Sequence, residues 1–380
     1  MTDNCDDGAV SNSALAATSF RIASINLFNF IAPPDAYYEF ENIYSTEQWL
    51  GKLTWFSDFV AKAKPDIIGF QEVFSPDALK EWANKQGYPY FAVVGEPELV
   101  SDYVYKSPVV ALASKYPITQ VSAVVPQAHS CQQLGLPSTF SFSRAPLRAT
   151  VNLPHFGECD CYVIHFKSKR NQLDTTVATD QTLSGAAEFV AQQVLGRWGA
   201  SLQRGSEATL LYHAMLTRRF SCGHPFVLMG DFNDSIQSDL FSAFRQSSRI
   251  FRSDINDVAL SQVSDTELQA QLQQFGLFDS YELFVAHQKA NRTLAHDEYE
   301  THSQASQLMR PASHYFGNTG SVLDYILVSS EFNHAAMQNL AHITHYQTFD
   351  RHLVRPDYER DKNSTDHAPV MMTFELRGQV

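Results

Sequence analysis

Cysteine is scarce in this 380-residue chain: Cys5, Cys131, Cys159, Cys161 and Cys222 are odd in number and widely scattered. That excludes a disulfide framework as the source of the fold. No Cys-x-x-Cys pair supports zinc. Cys159 and Cys161 alternate in a predicted strand, where an apolar packing role outweighs a metal role. No apolar run approaches the roughly 18 residues that span a bilayer. The first twenty residues lack the basic start and apolar centre of a signal peptide, so a cytoplasmic location is expected. The glycosylation matches at Asn291 and Asn363 then read as chance. Basic residues are also in deficit, 28 against 41 acidic, for a net charge of -13. Long-range attraction to a nucleic-acid polyanion is disfavoured, although a local basic groove stays open. No Lys- and Arg-rich amphipathic helix suggests a membrane surface.

What the chain does have is apolar material: 44% of residues are hydrophobic and 12% aromatic, enough for one large core or two ordinary ones. Residues 1–18 are small, polar and acidic and read as a disordered tail. Strands are predicted at Arg21–Leu27, Asp66–Phe70, Val109–Ser114, Arg148–Asn152, Cys161–Phe166, Phe226–Met229, Val322–Val328 and Val370–Leu376. Ser45 with Gln48 forms a capping box ahead of a helix whose Trp49, Leu53, Phe56 and Val60 share one face, and Pro65 stops it. A second helix is predicted over Leu202–Phe220. Strand, helix, strand is the rhythm of an α/β protein. Length alone favours two or three domains. Candidate chemical residues flank both irregular insertions, near 170–201 and 254–311, so residues 19–378 are read as one domain and the insertions as loops that carry substrate choice.

The chemistry lies where apolar runs end. In Phe226–Asp234 a strand runs into Gly230 and presents Asp231 and Asn233, which point the same way if extended. A carboxylate beside an amide can deprotonate a water while the amide donates to a phosphoryl oxygen; a plain strand-end turn is the alternative. Asp366 and His367 precede the last strand and suit a metal ligand and an acid or base, with a solvated strand entrance as the alternative. Asp324 sits in an apolar strand where a charge needs a partner, the natural orienter of an imidazole unless backbone donors account for it. Glu72 and Asn26 end strands with hard oxygen donors of the kind magnesium or manganese accepts. His165 is followed by Lys167 and Lys169 at alternate positions, which could gather a phosphate, though a lone His in an apolar strand is more often a core residue.

Taken together, Phe-Gln-Glu72, Gly-Asp231-Phe-Asn233, Leu-Asp324-Tyr-Ile and Ser-Thr-Asp366-His367 resemble the endonuclease/exonuclease/phosphatase, or DNase I-like, superfamily over about Arg21–Leu376. Its members include nucleases, inositol polyphosphate phosphatases and neutral sphingomyelinases. Ser143-Arg144-Ala-Pro-Leu is similar to the family's phosphate-contacting arginine segment. The resemblance implies a four-layer α/β/β/α sandwich of two mixed β-sheets flanked by helices. It implies Asn26, Glu72 and Asp366 around Mg2+, with Mn2+ as the alternative ion. It also implies Asp231 positioning or deprotonating water, Asn233 holding a nonbridging oxygen, His367 oriented by Asp324, and His165 assisting. Arg144, Lys167 and Lys169 would meet substrate phosphate. The expected reaction is hydrolysis of a phosphodiester, nuclease-like, by in-line attack of water. A phosphatase or phosphodiesterase acting on a small or lipid-derived head group is the alternative, and a catalytically silent binding protein the third reading. The expected partner is a phosphoester substrate, nucleic acid included; the sequence indicates no protein partner.

Overall fold

In the computed structural model, residues 19–171, 183–245, 262–295, 309–336 and 338–377 are described. The expected tail and the parts of the two insertions at 172–182, 254–261 and 296–308 lie outside them. Seventeen strands follow one another among these residues. They are β1 (Ser19–Phe30), β2 (Ala36–Tyr37), β3 (Ile67–Val73), β4 (Tyr90–Val93), β5 (Glu98–Ser101) and β6 (Val104–Lys106). Next come β7 (Val109–Ser114), β8 (Ile118–Ala123), β9 (Leu147–Leu153), β10 (Gly157–His165), β11 (Phe226–Asp231) and β12 (Phe278–Asp279). The last are β13 (His314–Phe316), β14 (Thr319–Ser321), β15 (Asp324–Val328), β16 (Ala341–Thr348) and β17 (Val370–Leu376). One six-stranded sheet has the order β16-β17-β1-β3-β7-β4 and the other β12-β15-β11-β10-β9-β8.

Side-chain alternation turns these sheets into layers. Ile22 of β1, Ile67 of β3, Cys159, Cys161 and Val163 of β10, and Val227 and Met229 of β11 fill one cluster between the two sheets. The packing role expected for the two cysteines is what is found. Ala23, Ile25 and Leu27 of β1 face the other way, onto Phe56, Phe59 and Val60 of helix α1 (Thr46–Ala63) and Leu79 and Trp82 of α2 (Pro76–Lys85). Tyr162, Ile164 and Leu228 likewise face Leu210, Leu211 and Met215 of a long helix, Leu183–Cys222. Helix, sheet, sheet, helix is the expected four-layer sandwich.

The N-terminus of α1 carries the predicted capping box, Ser45 Oγ accepting from the Gln48 N–H and Gln48 Oε1 from the Ser45 N–H. Its C-cap Lys64 is left-handed, one residue before Pro65. The Leu183–Cys222 helix starts well before the predicted Leu202: Ala186, Ala187, Ala191 and Ala200 are strong helix formers and carry the first turns although most of their neighbours are exposed. Strand β15 begins at Asp324 and not at Val322, since its antiparallel partner β11 ends at Asp231, opposite Asp324. None of the described helices is long and apolar enough to cross a membrane.

Candidate active site

Six strand ends converge on one edge of the sandwich. Strands β1 and β3 run parallel in one sheet and β10 and β11 run parallel in the other, which places Asn26, Glu72, His165 and Asp231 at neighbouring C-terminal ends. Strands β15 and β17 run antiparallel to β11 and β1, so Asp324, Asp366 and His367 enter the same edge from strand beginnings. Register pairs Asp231 with both His165 and Asp324.

Asp231 Oδ2 is the hub. Asn26 Nδ2 and Asn233 Nδ2 each donate to it at 3.2 Å, while His165 Nε2 lies 3.6 Å and His367 Nε2 3.9 Å away. Asp231 and Asn233 do not meet by strand alternation. Asn233 is left-handed (φ 55°), its N–H bonds Asp231 Oδ1 at 2.7 Å, and this local turn brings the two side chains together. Burial pushes the Asp231 carboxyl up from its ordinary range, although the neighbouring His367 opposes the shift. His367 Nδ1 lies 2.8 Å from Asp324 Oδ2. Burial alone would lower the His367 pKa, but the carboxylates of Asp324 and Asp231 outweigh it and hold the ring well above the usual histidine value. His165 goes the other way: burial, with the positive neighbours Arg144, His367 and Lys167, keeps it neutral.

Glu72 and Asp366 sit on the more open side of this floor. Glu72 lies inside β3, not past its end, in the left-handed region (φ 60°) where the β3 register shifts. Its oxygens accept from the Asn29 N–H at 2.9 Å and Asn26 Nδ2 at 3.5 Å. Asn26 therefore presents its amide N–H to the acidic centre, while its carbonyl oxygen accepts from the Phe28 N–H. Asp366 Oδ1 is buried with no hydrogen-bond partner. Burial, then the neighbouring Glu72 charge, raises the Asp366 pKa, with His367 opposing. Crowded carboxylates with an orphaned oxygen form a donor set that fits a hard divalent cation.

Arg144 reaches this edge from the opposite rim, where its Nη1 donates to the Phe166 carbonyl at 3.3 Å and its Nε is buried without a partner. Lys167 and Lys169 are turned to neighbours, Lys167 Nζ to the Arg170 carbonyl at 3.2 Å and Lys169 Nζ to Asp234 at 2.8 Å. The structure thus brings Asn26, Glu72, His165, Asp231, Asn233, Asp324, Asp366 and His367 together, with Arg144 at the rim and the two lysines engaged outside it.

Sequence reasoning missed four supports. Lys52 of α1 is 2% exposed and donates to the carbonyls of Leu27 at 2.8 Å and Phe28 at 2.9 Å, under the last residues of β1, where Phe28 and Asn29 are both left-handed. Its signal was available: a lysine at a core-facing position between Trp49 and Phe56. Glu207 accepts the backbone N–H groups of Ser143 at 2.6 Å and Lys167 at 2.8 Å, tying the Arg144 segment to the end of β10. Thr365 Oγ1 donates to the Asn26 carbonyl at 2.7 Å and accepts from the His367 N–H, fastening the start of β17 to β1. His314 lies with its ring centre 4.8 Å from that of His367 and carries no sequence signal.

The family model of the Endonuclease/Exonuclease/phosphatase family matches residues 42–367, most of the chain and nearly all of this centre. The chain belongs to this family. No curated protein matches it by sequence. Among solved structures, the human Nocturnin catalytic domain with bound sulfate anion superposes with a TM-score of 0.53 at 14% identity, covering 95% of each chain. An AP endonuclease from Archaeoglobus fulgidus gives 0.47 at 12% identity, over 93% of this chain and 98% of that one. D. rerio TDP2 complexed with single strand DNA product gives 0.48 at 11%, over 94% and 100%. At these identities the likeness to Nocturnin is one of fold. Endonuclease/exonuclease/phosphatase members are phosphoester hydrolases, and all of the centre described above except Asn26 lies within the matched residues.

Proposed function

We propose that the chain is a divalent-metal-dependent, nuclease-like phosphodiesterase working by in-line attack of water. The observation that carries this reading is the set of four polar groups converging on the buried Asp231 Oδ2, one of them a histidine held by Asp324. Asp231 takes the proton of the attacking water as the oxygen bonds to phosphorus. Asn233 Nδ2, which now donates to Asp231 and the Phe166 carbonyl at 3.0 Å, exchanges its Asp231 contact for a nonbridging phosphoryl oxygen. His367, held protonated by its two carboxylates, stabilises the developing charge and gives its proton to the departing ester oxygen. Neutral His165 donates a hydrogen bond from the facing side, and Arg144 contacts substrate phosphate. Glu72 and Asp366, with Asn26 beside them, are the residues that would hold magnesium. The bound ion supplies charge neutralisation at the phosphoryl oxygens.

A small or lipid-derived head group is the second reading, favoured by the aromatic cluster beside the centre. Tyr38 packs edge-on against Tyr37 and Phe74, and Tyr37 lies tilted against Tyr44. The deciding experiment offers supercoiled plasmid, an aryl phosphodiester and a panel of phosphorylated head groups, with magnesium or chelator, to wild type and His367→Ala. Plasmid nicking that needs both metal and His367 supports the nuclease reading. Intact plasmid with metal-dependent turnover elsewhere moves the assignment to the head-group enzyme, and no turnover on any substrate overturns both.

A further inference from the structure

A second cluster of metal-binding side chains lies away from this edge, where the Leu183–Cys222 helix hands over to β11. One ligand atom from each of Asp160, Cys222 and His224 lies within 4.8 Å of the others. We propose that these three residues form a thiolate-imidazole-carboxylate site for a borderline-soft divalent cation, zinc in particular, with solvent in the fourth position.

The backbone is shaped for convergence. Cys222 ends the helix, and Gly223 follows in the left-handed conformation (φ 72°), so that Cys222 and His224 fold back toward one another. Pro225 then ties this turn to β10, its carbonyl accepting the Asp160 N–H at 2.9 Å. Glu158 and Asp160 are two apart on β10 and present both carboxylates to His224.

The imidazole sits between those carboxylates in the arrangement expected of a metal-bound histidine. Nε2 faces Glu158 Oε2 at 3.3 Å, placed as an outer carboxylate is behind a metal ligand. Nδ1 is left facing Asp160 Oδ1 at 3.5 Å, buried and without a hydrogen-bond partner. A cation held between this nitrogen and the carboxylate would satisfy both groups. Cys222 Sγ lies 3.8 Å from Asp160 Oδ2 and completes the three-sided set. Asp160 is held for this role by Thr150 Oγ1 at 2.5 Å and Arg218 Nε at 2.9 Å. Asp160 and Glu158 against the single Arg218 leave a surplus of one negative charge, and the proton that a cysteine ligand gives up on binding leaves a second, so one divalent ion balances the site. The carbonyl end of the helix adds to the attraction. Cys222 and His224 are half-buried, which leaves an entry path. Sulfur and nitrogen donors distinguish this set from the oxygen donors of Glu72 and Asp366, so the two centres select different ions.

The test is titration of the purified full chain with Co2+, read by the near-ultraviolet thiolate-to-cobalt charge-transfer band. Only a cysteine ligand gives that band, so cobalt at the Glu72 and Asp366 edge is silent in it. Wild type should show the band at one equivalent and lose it when Zn2+ is added. Cys222→Ser should abolish it, His224→Ala should weaken cobalt binding at least tenfold, and Glu158→Gln should weaken it about 10- to 100-fold. Circular dichroism of each variant reports folding, and Zn2+ should raise the Tm of wild type more than that of Cys222→Ser. Absence of the band in wild type overturns the site, as does a band of equal strength in folded Cys222→Ser. Magnesium-dependent phosphoester hydrolysis should be unchanged in Cys222→Ser, so failure of this site and failure of the proposed hydrolase are read separately.

Discussion

His367 Nδ1 and Asp324 Oδ2 lie 2.8 Å apart in a floor where Asp324 is 1% and His367 6% exposed. At that depth the carboxylate of Asp324 holds the ring charged against the cost of burial, and it fixes which ring nitrogen faces Asp231. An amide in place of the carboxylate keeps the shape and removes the charge. Asp324→Asn should therefore lower kcat by about 10²- to 10⁴-fold with little change in KM, as expected of a group acting mainly in the transition state. Steady-state kinetics on the best substrate of the panel checks it, and a variant within about threefold of wild type removes Asp324 from this role.

Lys52 gives a pH dependence of stability with a definite sign. Burial pulls its pKa down to about 7, partly offset by Glu72 and Asp366, whereas a lysine in the unfolded chain titrates near 10.4. Between those values the unfolded chain binds the proton and the folded one does not, so stability rises with pH across the window and the burial cost is greatest below about pH 7. Urea midpoints measured in chelator from pH 7 to 10 should climb more steeply for wild type than for Lys52→Met. The same variant removes the Lys52 donor from the Leu27 carbonyl and leaves the Phe28 carbonyl with the Tyr44 hydroxyl, and should lose about 1–3 kcal/mol at neutral pH, less whatever relief the removed charge brings.

The two-residue rhythm of buried strands and the polar residue at each strand end made the layers and most of the centre legible from sequence. Asp231, His367 and Asp324 stand at the ends of apolar runs, and that position is what a site built on sheet edges requires. What could not be read is what depends on left-handed backbone. Glu72, Asn29 and Asn233 take that conformation without being glycine, and so Asn26 came to offer its N–H and Asn233 its turn. Long-range supports such as Glu207, 40 residues from its Lys167 partner, leave no local pattern either. The lysines at 167 and 169 alternate as a phosphate clamp would, but the chain beyond β10 leaves the sheet and the alternation no longer sets their direction.

Gly230 is where the spacing between β10 and β11 is set. Its φ of 146° is unusual for other residues, and a Cβ there would collide with the Ile164 carbonyl, backbone that cannot swing aside. Gly230→Ala must push the strands apart one residue before Asp231. It should cost on the order of 3 kcal/mol, visible in thermal unfolding. Activity should fall further than the folded fraction alone explains, because the Asp231 to His165 pairing goes with the register.

Glu72 and Asp366 are proposed to hold the ion, so neutralising either should change the metal requirement before it changes the fold. Chelation should abolish turnover in wild type, and magnesium should restore it. Glu72→Gln and Asp366→Asn should each raise the magnesium needed for half-maximal rate by about tenfold or more, the scale on which metal sites respond to loss of a supporting group. Burial and mutual repulsion raise the Asp366 pKa in the ion-free chain, so Glu72→Gln relieves a strain and the metal-free variant should melt at or above the wild-type temperature. Added magnesium should then raise the Tm of wild type more than that of either variant. Equal magnesium dependence and equal stabilisation in all three proteins would place the ion elsewhere.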